Sequence, residues 1–414
     1  MKQIPQSSGY LAVSIPAAEP VGDSAESGAK LGGALLGYML GVTLIITLLP
    51  FQFDWPSHWR VMYTGDVIDI VANVLLFLPL GFLYRLARRN ASRHSTLTIL
   101  WIGALLSMAI ESAQLFEVER YTSVLDVATN ALGAWIGAMS VDRFASRLRI
   151  DGTLIGRLSL ELPLMGLVYL LIPLLWLNAL ASGAQVERTF LALLLGVFGA
   201  SILGGMQRHH FTPASALGAR QMAFGAAAWF LIGGFPGFAK RPFAFAAVSV
   251  LIAALAWWRG SRPFVATTQN RRFEVPVLQS AAPAYAAYMA LLTVAPLLDG
   301  VGRWQLGIGF PGVATEWTKM EILRFLELVA ACTLLGYMVA EFRGRVVALF
   351  RDALPRLVIW GVAVTVAGEF ARGWHAGHGA SAARGVVLAA ALIYGGWLYY
   401  LQRSHVVRLL GDKR

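Results

Sequence analysis

The chain has 414 residues, 57% of them hydrophobic and only 14% charged, with 34 Lys and Arg against 23 Asp and Glu. So little charge excludes an ordinary soluble domain, whose surface must be solvated. The net charge of +11 would suit nucleic acid, but its distribution along the chain argues against that partner.

Residues 1–30 carry Glu19, Asp23 and Glu26 and no apolar core. They read as a disordered cytoplasmic tail rather than a signal peptide. Beyond them, residues 31–49, 162–186, 189–207, 221–239 and 275–298 hold no Asp, Glu, Lys or Arg. A helix needs roughly 20 apolar residues to cross the hydrocarbon core, where every backbone polar group must be paired within the protein. The expected fold is therefore an all-α polytopic transmembrane bundle. Twelve spans are expected, near 31–49, 67–86, 95–115, 123–141, 159–180, 189–207, 220–237, 242–258, 276–298, 324–342, 353–371 and 384–402. With these spans, 24 of the 34 Lys and Arg fall in the tails and the loops after even-numbered spans, and 10 fall opposite. The positive-inside rule then places both termini in the cytoplasm. Basic loops of this kind also suit anionic lipid headgroups. Cys332 is the one cysteine and lies within a span, so no intrachain disulfide can form.

The second span carries Asp66, Asp69 and Asn73 at i, i+3 and i+7, along one helical face. The third ends in Glu111 and Gln114, Arg120 follows, and the fourth opens with Asp126 and Asn130. Charged groups in spans are costly and mark either function or a polar clamp between helices. The topology puts all of these at the outer ends of their helices. Three helices are thus expected to present acids and amides at one depth around one arginine. Small-residue spacings, Gly33-x-x-x-Gly37-x-x-x-Gly41 and Gly133-x-x-x-Gly137, predict close helix packing within the chain.

The order Asp69-x-x-x-Asn73-x-x-x-Phe77-x-Pro79-x-Gly81, Glu111-x-x-Gln114, Arg120, and Asp126-x-x-x-Asn130-x-x-Gly133-x-x-x-Gly137 resembles the VanZ-like family of membrane proteins, over about residues 35–140. The resemblance implies a multi-pass protein of the bacterial inner membrane. It also implies a link to reduced susceptibility to the glycopeptide teicoplanin. It assigns no catalytic role to any residue.

A second stretch repeats part of this pattern. Glu327-Leu-Val-Ala-Ala331 follows Asp69-Ile-Val-Ala-Asn73 by 258 residues, and Glu369 follows Glu111, and Gly395 follows Gly137, at the same spacing. This predicts parallel four-helix repeats and a division into residues 1–30 (tail), 31–150 (VanZ-like), 151–265 (middle unit) and 266–414 (degenerate VanZ-like unit). In the later copy Asp66 is matched by Arg324, Gln114 by Arg372 and Asp126 by Arg384, while Asn73 and Asn130 become Ala331 and Leu388. With His375 and His378, these arginines form either worn scaffold or a basic site for a phosphate-bearing headgroup.

His375-x-x-His378 has no third metal ligand nearby in sequence, and neither a metal nor a cofactor is expected. Gly307-x-Gly309-x-x-Gly312 lacks a preceding strand and reads as a loop. The expected partners are membrane lipids, with a lipid-linked cell-wall or polysaccharide intermediate, or a glycopeptide, as ligand at the outer leaflet. Two alternatives stay open: a hydrolase or transferase on envelope lipids, with Asp69, Glu111 and Asp126 as acid, base or ligand, and a transporter. No Ser-His-Asp or Cys-His pattern accompanies the acids, which weighs against an enzyme. The oligomeric state is not legible.

Overall fold

The computed structural model describes residues 22–56, 61–63, 65–87, 96–118, 120–147, 163–183, 185, 188–210, 217–263, 274–294, 300–309, 318–343, 349–375 and 379–411. These residues form an all-α polytopic bundle of twelve helices. They are α1 (Gly22–Leu48), α2 (Val67–Ala87), α3 (Thr96–Gln114), α4 (Val124–Arg147), α5 (Pro163–Ala181), α6 (Thr189–His210), α7 (Ala219–Lys240), α8 (Pro242–Gly260), α9 (Glu274–Val294), α10 (Lys319–Arg343), α11 (Phe350–Arg372) and α12 (Ala382–Gly411). Eleven are long and apolar enough to cross a membrane, and α1 has a shorter apolar stretch, Gly33–Leu48. The expected spans and the helices coincide closely. The largest differences are at α12, which runs on to Gly411 rather than 402, and at α1, which starts at Gly22, inside residues expected to be a disordered tail; residues 1–21 lie outside the described ones.

The most enclosed helices are α5 and α6, and around them lies a core in which Leu167, Leu171, Phe198, Phe230, Tyr285 and Tyr337 are fully buried. Outward faces keep apolar side chains exposed, among them Trp101 and Leu105 on α3, Phe243 on α8 and Ile359 on α11, as a lipid-facing surface requires.

The closest crossings are made by glycine. A Cβ on Gly81 of α2 would lie 1.9 Å from the Ala134 carbonyl oxygen of α4, and one on Gly137 would lie 2.1 Å from that of Leu78. Backbone touches backbone there, as the small-residue spacing in α4 predicts. The other spacing behaves differently: a Cβ on Gly33, Gly37 or Gly41 would meet no neighbouring element within 4 Å among the described residues. Among the described residues that stripe is not a packing seam.

An equally tight crossing joins α10 to α12. A Cβ on Gly336 would lie 1.8 Å from the Leu392 oxygen, and one on Gly395 would lie 1.8 Å from that of Thr333. Leu392 and Gly395 follow Ala134 and Gly137 by 258 residues, but Gly336 follows Gly81, and Thr333 follows Leu78, by 255. The register expected from sequence is therefore three residues off for α10. By packing position Asp69 corresponds to Arg324 rather than to Glu327, and Asn73 to Leu328. Among low-complexity apolar helices, the Asp-Ile-Val-Ala and Glu-Leu-Val-Ala likeness favoured a register that the glycine contacts do not follow.

Two pairs of two-residue strands, too short for alternation to be read in sequence, tie loops together. Val61–Met62 (β1) runs parallel to Thr122–Ser123 (β2), and Leu306–Gly307 (β3) runs parallel to Ala380–Ser381 (β4). Antiparallel bridges Phe53–Glu117 and Val301–His375 flank them. The α1–α2 connection is thereby held to the α3–α4 connection, and the α9–α10 connection to the α11–α12 one.

Candidate functional site

The site lies where α1 and α3 end and α2 and α4 begin, so the four helix ends share one end of the bundle. Ser123 is the N-cap of α4: its Oγ accepts the backbone N–H of Asp126 at 3.3 Å. A serine caps well because its hydroxyl satisfies an amide left without a partner in the first turn. The Ser123 N–H in turn donates to Glu111 Oε2 at 2.8 Å, and Thr122 Oγ1 donates to the Glu111 carbonyl at 2.9 Å. Glu111 is only 5% exposed. Its carboxylate is thus held by a backbone amide from the neighbouring helix rather than by a cation.

Asp126 receives a hydrogen bond from the Asn73 side chain and has Asp69 and Arg120 as charged neighbours; Glu111 feels Asp126 and Arg120. Arg120 directs its Nη2 to the carbonyls of Ile46 and Leu49, 3.5 Å from each. Asp69 and Asp66 are exposed at the rim, with the Asp66 carbonyl accepting the Ile70 N–H at the start of α2. Gln114 Nε2 donates to the Thr47 carbonyl at 2.8 Å, which ties α3 to α1. Asn130 Nδ2 donates to Ser107 Oγ at 2.8 Å, one turn deeper between α4 and α3.

Of the eight residues expected at this site, then, Asn73, Asp126, Glu111, Asp69 and Arg120 converge. Asp66 stands at the margin, and Gln114 and Asn130 brace the walls. Sequence reasoning missed Ser123, Thr122 and Ser107. Ser123-x-x-Asp126 carries the serine and third-residue carboxylate of an N-terminal helix box, a signal that would have singled it out. Glu117 was missed as well: its Oε1 accepts the Gln52 N–H at 3.0 Å and pins the α1–α2 connection beneath the site.

The expected basic site is divided. Arg384 binds Glu369 through Nε to Oε1 at 2.7 Å and Nη2 to Oε2 at 2.6 Å, and Arg372 Nη1 lies 3.5 Å from Oε1. Arg324 instead reaches Gln185 Oε1 at 3.1 Å, away from that pair. His375 pairs its backbone with Val301, and His378 lies outside the described residues. An acid on α11 meets the arginines, so they do not form a free basic cluster.

A second polar network was not expected. Glu327 is fully buried on α10 and forms an ion pair with Arg188. Its Oε1 also accepts Asn178 Nδ2 at 2.8 Å and the Tyr288 hydroxyl at 3.1 Å. It joins α5, the start of α6, α9 and α10. A buried charge of this kind must be paired and hydrogen-bonded to be tolerated.

The fold and this polar end define a polytopic membrane protein with a four-helix N-terminal unit built around acidic and amide side chains. Residues 24–145 match the model of the VanZ/LLP1 family, so that stretch of the chain is similar to VanZ-like membrane proteins. Neither the curated proteins nor the solved structures include a match.

Proposed function

We propose that the VanZ-like unit binds or handles an amphiphilic envelope ligand, a lipid-linked cell-wall or polysaccharide intermediate or a glycopeptide, at the outer leaflet of the bacterial inner membrane. The observation that carries this reading is the convergence of Glu111, Asp126, Asn73 and Arg120 at one bundle end, with Glu111 nearly buried and Asp69 and Asp66 at the rim. Polar groups collected where helices meet the headgroup layer engage a polar head, while the exposed apolar face of α3 (Leu105, Met108) lies against a chain in lipid. Protection against teicoplanin-type antibiotics fits such a role through an altered envelope.

The proposal includes the orientation, with both termini cytoplasmic, which the asymmetry of Lys and Arg between loops supports. A reporter enzyme fused after Arg414 should be active only on the cytoplasmic side. It includes residues 266–414 as a degenerate second copy of the unit. The matching helix crossings, loop pairings and the Ser123–Glu111 and Ser381–Glu369 bonds, both 2.8 Å, support that reading.

The test is a thermal shift of purified protein with polyprenyl phosphate or teicoplanin. Wild type should be stabilised by one of them and Arg120→Ala should not. Equal shifts in the two proteins, or none with either ligand, would overturn the assignment. Turnover of an envelope lipid, abolished by Asp126→Asn in folded protein, would replace binding with catalysis.

A further inference from the structure

From Arg188 to the residue before Glu274 the chain carries no acid. Residues 188–273 hold nine Lys and Arg and not one Asp or Glu. Wherever the fold gathers these cations, no carboxylate of the same segment can offset them. It gathers three of them at the end of the bundle where α6 and α8 finish and α9 begins.

Arg259, in the last turn of α8, crosses α6 so closely that a Cβ on Gly204 would lie 2.7 Å from the Cβ of Arg259. Its Nη1 donates to the Ser201 carbonyl at 3.4 Å and to Ser280 Oγ of α9 at 3.3 Å. Its Nε is buried and has no hydrogen-bond partner among the described residues. One turn beyond Gly204, Arg208 donates from Nε to the Pro263 carbonyl, just past α8, at 3.2 Å. Arg262 lies over the Trp258 ring, 3.6 Å from its centroid. Three guanidinium groups are thus held by carbonyls, a hydroxyl and an indole. None of them forms an ion pair with an acid among the described residues. Like charges brought together repel, and an anion from outside the protein relieves that repulsion.

The wall leading to the three arginines says which anion fits. Phe243, Ala247, Val250, Ala254 and Trp257 recur at helical spacing along α8, and all are exposed. Trp257 and Trp258, both exposed, stand at the end of this stripe beside Arg259, where indoles sit at headgroup level. A free anion has no use for the apolar stripe. A molecule with hydrocarbon chains below a phosphate matches both parts.

We infer that Arg208, Arg259 and Arg262 hold the phosphate of an anionic phospholipid whose chains lie along α8. This site is independent of the VanZ-like unit and of the ligand proposed for it.

The test uses full-length protein released from dodecyl maltoside micelles, with lipid binding read by native mass spectrometry during titration. Phosphatidylglycerol should bind more tightly than phosphatidylcholine with the same chains. Arg262→Gln should weaken phosphatidylglycerol binding roughly fivefold, the effect expected for one arginine at an anionic headgroup. Arg259→Gln should weaken it at least as much. Arg351→Gln removes one exposed charge at the start of α11 and should leave binding unchanged. Equal affinity for the two lipids, unchanged binding by folded Arg262→Gln, or the same loss in Arg351→Gln would overturn the inference. So would displacement of the lipid by inorganic phosphate or by an acidic peptide, because the chains would then add nothing. If Arg259→Gln does not accumulate, Arg262→Gln decides alone.

Discussion

The backbone N–H of Ser123 donates to Oε2 of Glu111 across 2.8 Å, which fastens the last turn of α3 to the first turn of α4. One buried carboxylate oxygen thereby serves as a partner for an amide in a strand too short to supply its own. The bond belongs to the walls of the site as much as to its chemistry.

Removing Glu111 should therefore be felt in stability before any ligand is added. Glu111→Ala leaves the Ser123 amide buried without an acceptor, which costs about 1–3 kcal/mol. Glu111→Gln keeps an acceptor and should stay closer to wild type. Thermal melts of the two variants in micelles decide this; equal losses would mean that the carboxylate's charge, and not the hydrogen bond, holds the two helices.

Glycines in two helices should respond in opposite directions to the same change. Gly81→Ala drives a methyl into the Ala134 carbonyl and should cost about 1–3 kcal/mol or more through overpacking. Gly37→Ala meets no neighbouring element among the described residues and should be neutral or gain roughly 0.5–1 kcal/mol from helix propensity. The same melting assay reads both, and a destabilised Gly37→Ala would reveal a partner on that stripe.

The Arg188–Glu327 pair should show strong coupling. Either single change, Arg188→Met or Glu327→Leu, strands a buried charge and should cost about 3–5 kcal/mol, whereas the double variant should lose much less. Additive losses in a double-mutant cycle would show that the two side chains do not act as a pair.

Cys332 is 2% exposed within α10 and should resist a maleimide until the protein unfolds. Rapid labelling of native protein would mean that α10 opens toward water.

The helices were legible because their signal is long: charge-free runs of membrane length leave little choice of structure, and the differences lie at helix ends, with α1 starting at Gly22 and α12 running on to Gly411. The acids of the site were legible because each is an isolated charge near the end of an apolar helix. Three things were hidden. Ser123 is one ordinary serine, and its role depends on a carboxylate brought in by another helix. Glu327 finds Arg188 at a separation of 139 residues, beyond any local pattern. The register of α10 depends on which backbone Gly336 touches, a fact carried by Leu392 on another helix.

The packing of α1 against α12, where the rings of Tyr38 and Tyr394 come within 6.3 Å, has a bearing on biogenesis. The earlier helix leaves the ribosome long before its neighbour exists, so its flank must wait in lipid, or against the insertion machinery, until translation is almost complete. A chain stalled before α12 would carry a full set of N-terminal polar residues yet keep one side of the bundle unsealed. Quality-control proteases of the membrane should find such truncated chains easier to extract than the finished protein.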